Sequence, residues 1–126
     1  MPSSPNADLL GLVERFMAAW NERSVDTLVA CITADCVYRP AVGPLPDGGT
    51  VSGISAVADS FAATFDQYPD AAWTEASHFV TGDRGVSEWL FVGVDRSGHD
   101  VRVNGCDLFV FRDGLIAVKD SYRKRS

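Results

Sequence analysis

Apolar residues recur at helical spacing early in the chain and at a spacing of two later on, so the sequence predicts helices first and a sheet afterwards. Leu9, Leu12, Val13, Phe16, Met17 and Trp20 form one wide apolar stripe. Asn6 or Asp8 is placed to cap that first helix, and Asn21-Glu22-Arg23 breaks it. Ser24 caps a second, short helix expected to run to about Thr33, with Val25, Leu28, Val29 and Ile32 turned inward. Cys36-Val37-Tyr38-Arg39 reads as a short strand stopped by Pro40. Residues 41–53 hold four glycines and two prolines and read as a loop, long enough for a lid or the rim of a site. A third helix is expected from Ile54 to Tyr68, with Ile54, Val57, Ala58, Phe61, Ala62 and Phe65 on one stripe and Pro69-Asp70 as its stop.

The rest reads as strand: Ala71–Val80, Gly85–Val94, Asp100–Phe111 and Leu115–Tyr122, joined by short glycine-containing turns. Such turns imply an antiparallel meander. Gly105, inside the third of these strands, suggests a β-bulge. Helices followed by a bent antiparallel sheet give an α+β fold in one domain, residues 1–126, with residues 1–6 expected to form a disordered tail.

At 126 residues, 46 % hydrophobic and 22 % charged, the composition is that of an ordinary soluble domain. No apolar run approaches the roughly 20 residues of a membrane helix, and Met1–Asp8 lacks the features of a signal peptide, so the cytoplasm is expected. A net charge of −6 argues against nucleic-acid binding, and Arg123-Lys124-Arg125 reads as a solvated basic end. Cys31, Cys36 and Cys106 contain no CxxC pair, so neither disulfide nor zinc is expected. Without a P-loop, HExxH or Ser-His-Asp pattern, no metal or cofactor is expected either.

What changes this bland picture is a set of acids inside apolar strands. Asp107 alternates with Phe109 and Phe111, and Asp120 alternates with Val118, Ile116 and Tyr122. Glu88 alternates with Leu90 and Val92 on the neighbouring strand. Burying an unpaired charge costs several kcal/mol or more, so each acid either faces water or lines a pocket. Asp107 has the alternative of bonding to backbone amides beside Gly105, Asp120 of pairing with Lys119 or Arg123, and Glu88 of bridging to Arg102. His78 suits a proton shuttle or a plain hydrogen bond. Tyr38, Trp73, Asn104 and Tyr122 are candidates to set polar atoms at a pocket mouth, while Phe16, Trp20, Phe61, Phe65, Trp89 and Phe109 are candidates for its wall or for the core.

Several segments fall in a familiar order: a helix ending Ala19-Trp20-Asn21, then Thr33-Ala-Asp-Cys-Val-Tyr-Arg-Pro40, Gly53-Ile54 opening a helix, and Asn104-Gly-Cys-Asp-Leu-Phe-Val-Phe-Arg-Asp-Gly-Leu-Ile116. Over about Leu9 to Arg123 this resembles the SnoaL-like branch of the NTF2-like superfamily. The resemblance implies a cone: three N-terminal helices packed in a curved, mainly antiparallel sheet, around an apolar pocket. It also implies a homodimer through the sheet. By the same resemblance, Asp107 corresponds to a neutral acid that donates a hydrogen bond to an oxyanion in the steroid isomerases. Asp120 and Glu88 fall near acids of the polyketide cyclases and the epoxide hydrolase. Other positions depart from those enzymes: Phe16 and Arg39 stand where the isomerase has its tyrosine and its base, and Val86 stands where the hydrolase has an arginine. A phenyl ring donates no hydrogen bond and a guanidinium abstracts no proton.

Three functions are therefore expected. The first is a cofactor-free isomerase, cyclase or dehydratase acting on a small apolar carbonyl compound through Asp107, Asp120 and Glu88. The second is a non-catalytic ligand-binding domain of the same fold, and the third is a dimerisation module.

Overall fold

The computed structural model describes residues 5–124, whose elements run α1 (Pro5–Glu22), α2 (Val25–Ala30), β1 (Ile32–Arg39), β2 (Val51–Ser52), α3 (Ile54–Gln67), β3 (Ala72–Thr81), β4 (Arg84–Val94), β5 (Asp100–Arg112) and β6 (Leu115–Arg123). Helix α1 begins at Pro5, before either expected cap, because proline's fixed φ suits a first helical position that has no use for an N–H. Pro5 and Asn6 are thus helical rather than part of a tail. The rest of that expected tail, residues 1–4, and Arg125 of the basic end lie outside the described residues.

Helix α2 is capped by the Ser24 hydroxyl, which accepts from the Thr27 N–H at 3.2 Å. It stops at Ala30, short of Thr33, because Ile32 and Thr33 are claimed by a strand. Cys31 O accepts from Ile116 N at 2.9 Å and Ile32 pairs with Ile116, so β-branched residues that fit a pleated surface go into the sheet. The expected strand at Cys36–Arg39 is accordingly twice as long, and residues 51–52 of the long loop pair with it as β2.

The sheet has six strands in the order β2-β1-β6-β5-β4-β3. Strands β3 to β6 form the antiparallel meander, whereas β1 runs parallel to β6, which makes the sheet mixed. The β5–β6 hairpin turns on Asp113 and Gly114, both at positive φ (55° and 75°), as a two-residue loop of matching twist requires.

Gly105 does not form the expected bulge: both of its strand pairings run through it without a break. It is there for space, since a Cβ would stand 2.5 Å from the Trp89 ring and from Tyr122 O. The breaks in register lie instead at Thr74–Ser77 of β3, where Glu75 takes φ 54°, in β6 at Ala117, which has no partner on β5, and between Ile32 and Val37 of β1 where it pairs with β6.

Helices α1 and α3 cover one face of this sheet. Phe16 packs edge-on against Trp20, Phe61 and Phe109, and Leu12, Val13, Val57, Phe111 and Ile116 complete the core around them. Arg23, at φ 59°, ties the end of α1 to the α3–β3 connection by donating to Tyr68 O and Ala71 O at 2.8 and 3.0 Å. Asn21 accepts from Trp73 N and donates to Trp73 O, pinning the backbone at the start of β3 to the end of α1. Among the described residues, no helix is long and apolar enough to cross a membrane.

Candidate active site on the inner face of the sheet

The hairpin turn and the Ala117 bulge together decide what faces the helices. From the Arg112–Leu115 and Phe111–Ile116 pairs, an unbroken ladder would set Asp107 opposite Asp120, two like charges side by side. The extra residue at Ala117 shifts every later pair by one, so Asp107 stands opposite Ser121 and Phe109 opposite Lys119. Lys119 and Ser121 consequently point inward beside Asp107, and Asp120 and Tyr122 point outward.

Asp107 is 2 % exposed and Lys119 5 %. Three donors converge on the Asp107 carboxyl. Ser121 Oγ donates to Oδ1 at 2.6 Å, Lys119 Nζ lies 3.2 Å from the same oxygen, and Trp89 Nε1 donates to Oδ2 at 3.1 Å. Lys119 Nζ also donates to Ser121 Oγ at 2.7 Å, which closes a three-membered polar circuit. Its ammonium lies over the rings of Tyr38 (4.6 Å), Trp20 (5.2 Å) and Phe61 (5.8 Å), so the desolvated cation is balanced by one carboxylate and three π-faces. With every close neighbour donating, Asp107 is an acceptor here rather than the hydrogen-bond donor suggested by the steroid-isomerase likeness.

These groups line a cavity of about 40 Å³ whose walls include Trp20, Tyr38, Trp73, Trp89 and Phe91. That volume admits a head group of a few heavy atoms. Tyr38, Ala41, Thr64 and Arg123 line both this chamber and an outer recess of about 170 Å³ bounded by Pro40, Val42 and α3. The expected rim loop, residues 41–53, therefore lines the recess through Ala41 and Val42.

His78 sits on the same inner face, in a row across four strands: His78 opposite Ser87, Ser87 opposite Asp107, Asp107 opposite Ser121. Its Nδ1 lies 2.7 Å from the hydroxyl of fully buried Ser87, and burial holds its pKa below the usual value. It does not line the cavity.

Of the residues singled out from sequence, Asp107, Tyr38, Trp20, Trp73 and Trp89 meet at the cavity. Phe16, Phe61 and Phe109 are buried behind them, with Phe61 also facing the Lys119 ammonium. Glu88, Asn104 and Tyr122 lie on the outer face of the sheet, in a shallow apolar groove of about 450 Å³ that includes Phe79, Val86 and Cys106. Tyr122 Oη is 3.3 Å from Asp120 Oδ2 there, and the phenol's pKa is raised by that carboxylate. Glu88 and Asp120 thus do not share a site with Asp107. Strict alternation back from Tyr122 gave Asp120 the correct neighbours Val118 and Tyr122, but the bulge puts Ile116 on the opposite face. The inner lysine, serine and arginine went unnoticed as site residues, although the like-charge clash of an unbroken ladder was a usable signal. No metal-binding cluster of His, Cys, Asp or Glu occurs among the described residues. Burial pushes the Cys36 thiol up to about 11, leaving it a packing group.

Comparison with solved structures gives the same architecture repeatedly. A candidate polyketide cyclase from Xanthomonas campestris superposes with a TM-score of 0.85 at 23 % identity, over 96 % of this chain and 93 % of that one. An NTF2-like protein of unknown function from Mesorhizobium loti does so with 0.81 at 26 % identity, over 99 % and 98 %. A protein with a ketosteroid isomerase-like fold from Catenulispora acidiphila, in complex with trimethylamine, gives 0.76 at 21 % identity, over 88 % and 83 %. No curated protein matches the sequence. The SnoaL-like domain profile matches residues 13–119, from the middle of α1 to the inner lysine of β6, and the chain belongs to that family.

Proposed function

We propose that the chain is a cofactor-free pocket enzyme that moves a proton alpha to a carbonyl, as an isomerase, cyclase or dehydratase does, on a small and largely apolar carbonyl compound. The observation that carries this reading is one carboxylate joined to one ammonium and one hydroxyl in an aromatic-walled cavity. Among the described residues Asp107 Oδ2 accepts from Trp89 alone and keeps a lone pair for a substrate proton, so Asp107 is the base. Lys119 stabilises the negative charge that develops on the carbonyl oxygen, in a desolvated setting where such a charge counts most. Ser121, bonded to both, is placed to pass a proton between them. The naming of the Xanthomonas campestris relative as a candidate polyketide cyclase agrees with this class of chemistry.

The test is solvent-deuterium exchange into the alpha positions of a panel of small ketones, followed by proton NMR. Wild type and Glu88→Gln should exchange at least one ketone well above the buffer rate, and Asp107→Asn should not. Exchange that survives Asp107→Asn removes Asp107 as the base. No exchange with any ketone favours the non-catalytic binding domain.

The outer face favours a second role beside the first, pairing of two copies through the sheet. Phe79 and Tyr122 are 55 % and 52 % exposed on that groove, and Leu108 lies next to them. Sedimentation should give a dimer that Phe79→Glu with Tyr122→Glu turns into a monomer. A wild-type monomer at high concentration ends this role.

A further inference from the structure

The cavity's charge and its one orphaned donor say what kind of group it receives. Its lining holds one acid, Asp107, against two bases, Lys119 and Arg123, so it carries a formal surplus of one positive charge in a chain of net charge −6. Arg123 is the charged residue common to the inner chamber and the outer recess. Its guanidinium rests on the rings of Phe91 (5.0 Å) and Tyr68 (6.0 Å), and it has no ion pair among the described residues. Trp20 is 3 % exposed and lines the chamber, yet its Nε1–H has no hydrogen-bond partner among the described residues. A buried N–H left without an acceptor is a standing cost to the fold. An acceptor brought in by a ligand removes that cost. The aromatic faces that would attract a ligand cation already hold the chain's own Lys119 ammonium.

We propose that this cavity selects a small molecule bearing an anionic oxygen group, a carboxylate or an enolate, on a short apolar body, with Arg123, Lys119 and the Trp20 indole N–H as its recognition groups. The inference rests on the cavity being the ligand site, and it names the substrate class for the chemistry above. The chamber of about 40 Å³ takes the charged head, and the recess of about 170 Å³ takes the apolar remainder. A guanidinium at the entrance also draws an anion in and forms charge-assisted hydrogen bonds, which are about twice as strong as neutral ones. A quaternary ammonium meets the opposite: a filled aromatic box and net repulsion.

Tryptophan fluorescence titrations of the whole chain with butanoate, butanamide and tetramethylammonium, at one ionic strength, test this. Butanoate should bind saturably and about tenfold or more tighter than butanamide, as loss of a charge-assisted contact implies, and tetramethylammonium should not bind. Arg123→Gln should weaken butanoate by roughly tenfold while leaving butanamide unchanged, and Arg123→Lys should fall between. The proposal is overturned if butanoate gives no saturable response, if butanamide binds equally well, if tetramethylammonium binds, or if Arg123→Gln leaves butanoate untouched. Butanoate binding without any alpha-proton exchange would sink the catalytic reading and leave this one standing. Exchange on neutral ketones without butanoate preference would do the reverse.

Discussion

The two faces of strands β4 to β6 are built from alternating residues of one stretch of chain, yet they use charge in opposite ways. On the inner face Asp107 and Lys119 are shut away from water, each held by the other, by Ser121 and by aromatic rings. On the outer face Glu88 is exposed and Asp120 half-buried, beside a wide apolar groove. Water solvates an exposed acid whatever its neighbours do, whereas a buried one depends on every contact it makes. An acid's place in the sequence therefore says less about its role than the face it falls on, and here one unpaired residue, Ala117, sets the face.

Removing the inner cation breaks this division most thoroughly, and denaturant titrations should show it. Lys119→Met keeps the ladder and removes only the cation, so about 3–5 kcal/mol should be lost. Lys119→Met with Asp107→Asn should recover part of that, because the orphaned charge is gone; no recovery would mean the pair is not coupled. Gly105→Ala sharpens the comparison from another side, since its Cβ has to displace the Trp89 ring. About 1–3 kcal/mol is expected from such overpacking, with a drop in any cavity binding, because Trp89 orients Asp107.

A smaller effect comes from His78. Its pKa is lowered by burial, so the unfolded chain takes up the proton first as pH falls. The stability it contributes is present above the ordinary value of 6.5 and is lost as pH drops through the depressed one. Stability measured from pH 7.5 to 5 should slope more gently in His78→Gln than in wild type, and identical slopes would remove this role. Smallest of all, Glu88→Gln and Asp120→Asn should each change stability by no more than about 0.5 kcal/mol, as solvent-facing substitutions do. A larger loss would mean the outer acids are structural.

Much of the fold was legible because helices and strands here obey their own periods. The stripe from Leu9 to Trp20, the Ser24 cap, the Ile54–Phe65 stripe and the Asp113-Gly114 turn each carry a local signal. The parallel β1–β6 pairing carries none, since it joins residues some eighty apart in sequence through Ile32 and Ile116. Half of the site was legible as well: an acid between phenylalanines on β5 is conspicuous, and so are the tryptophans. Lys119 and Ser121 were hidden because alternation read back from Tyr122 puts them on the same face as Ala117, and nothing local marks Ala117 as the residue to skip. Only the partner strand does so.

The most direct measurement is an NMR titration of nitrogen-15-labelled protein with butanoate. It follows the indole N–H signals of the three tryptophans together with the backbone amides of the outer groove. If the functional site lies on the inner face, the Trp20 and Trp89 indole signals shift saturably while the amides of Phe79, Cys106 and Tyr122 stay still. If the outer amides move and the indoles do not, the groove beside Glu88 and Asp120 is the site, and the account built on Lys119 and Asp107 is contradicted.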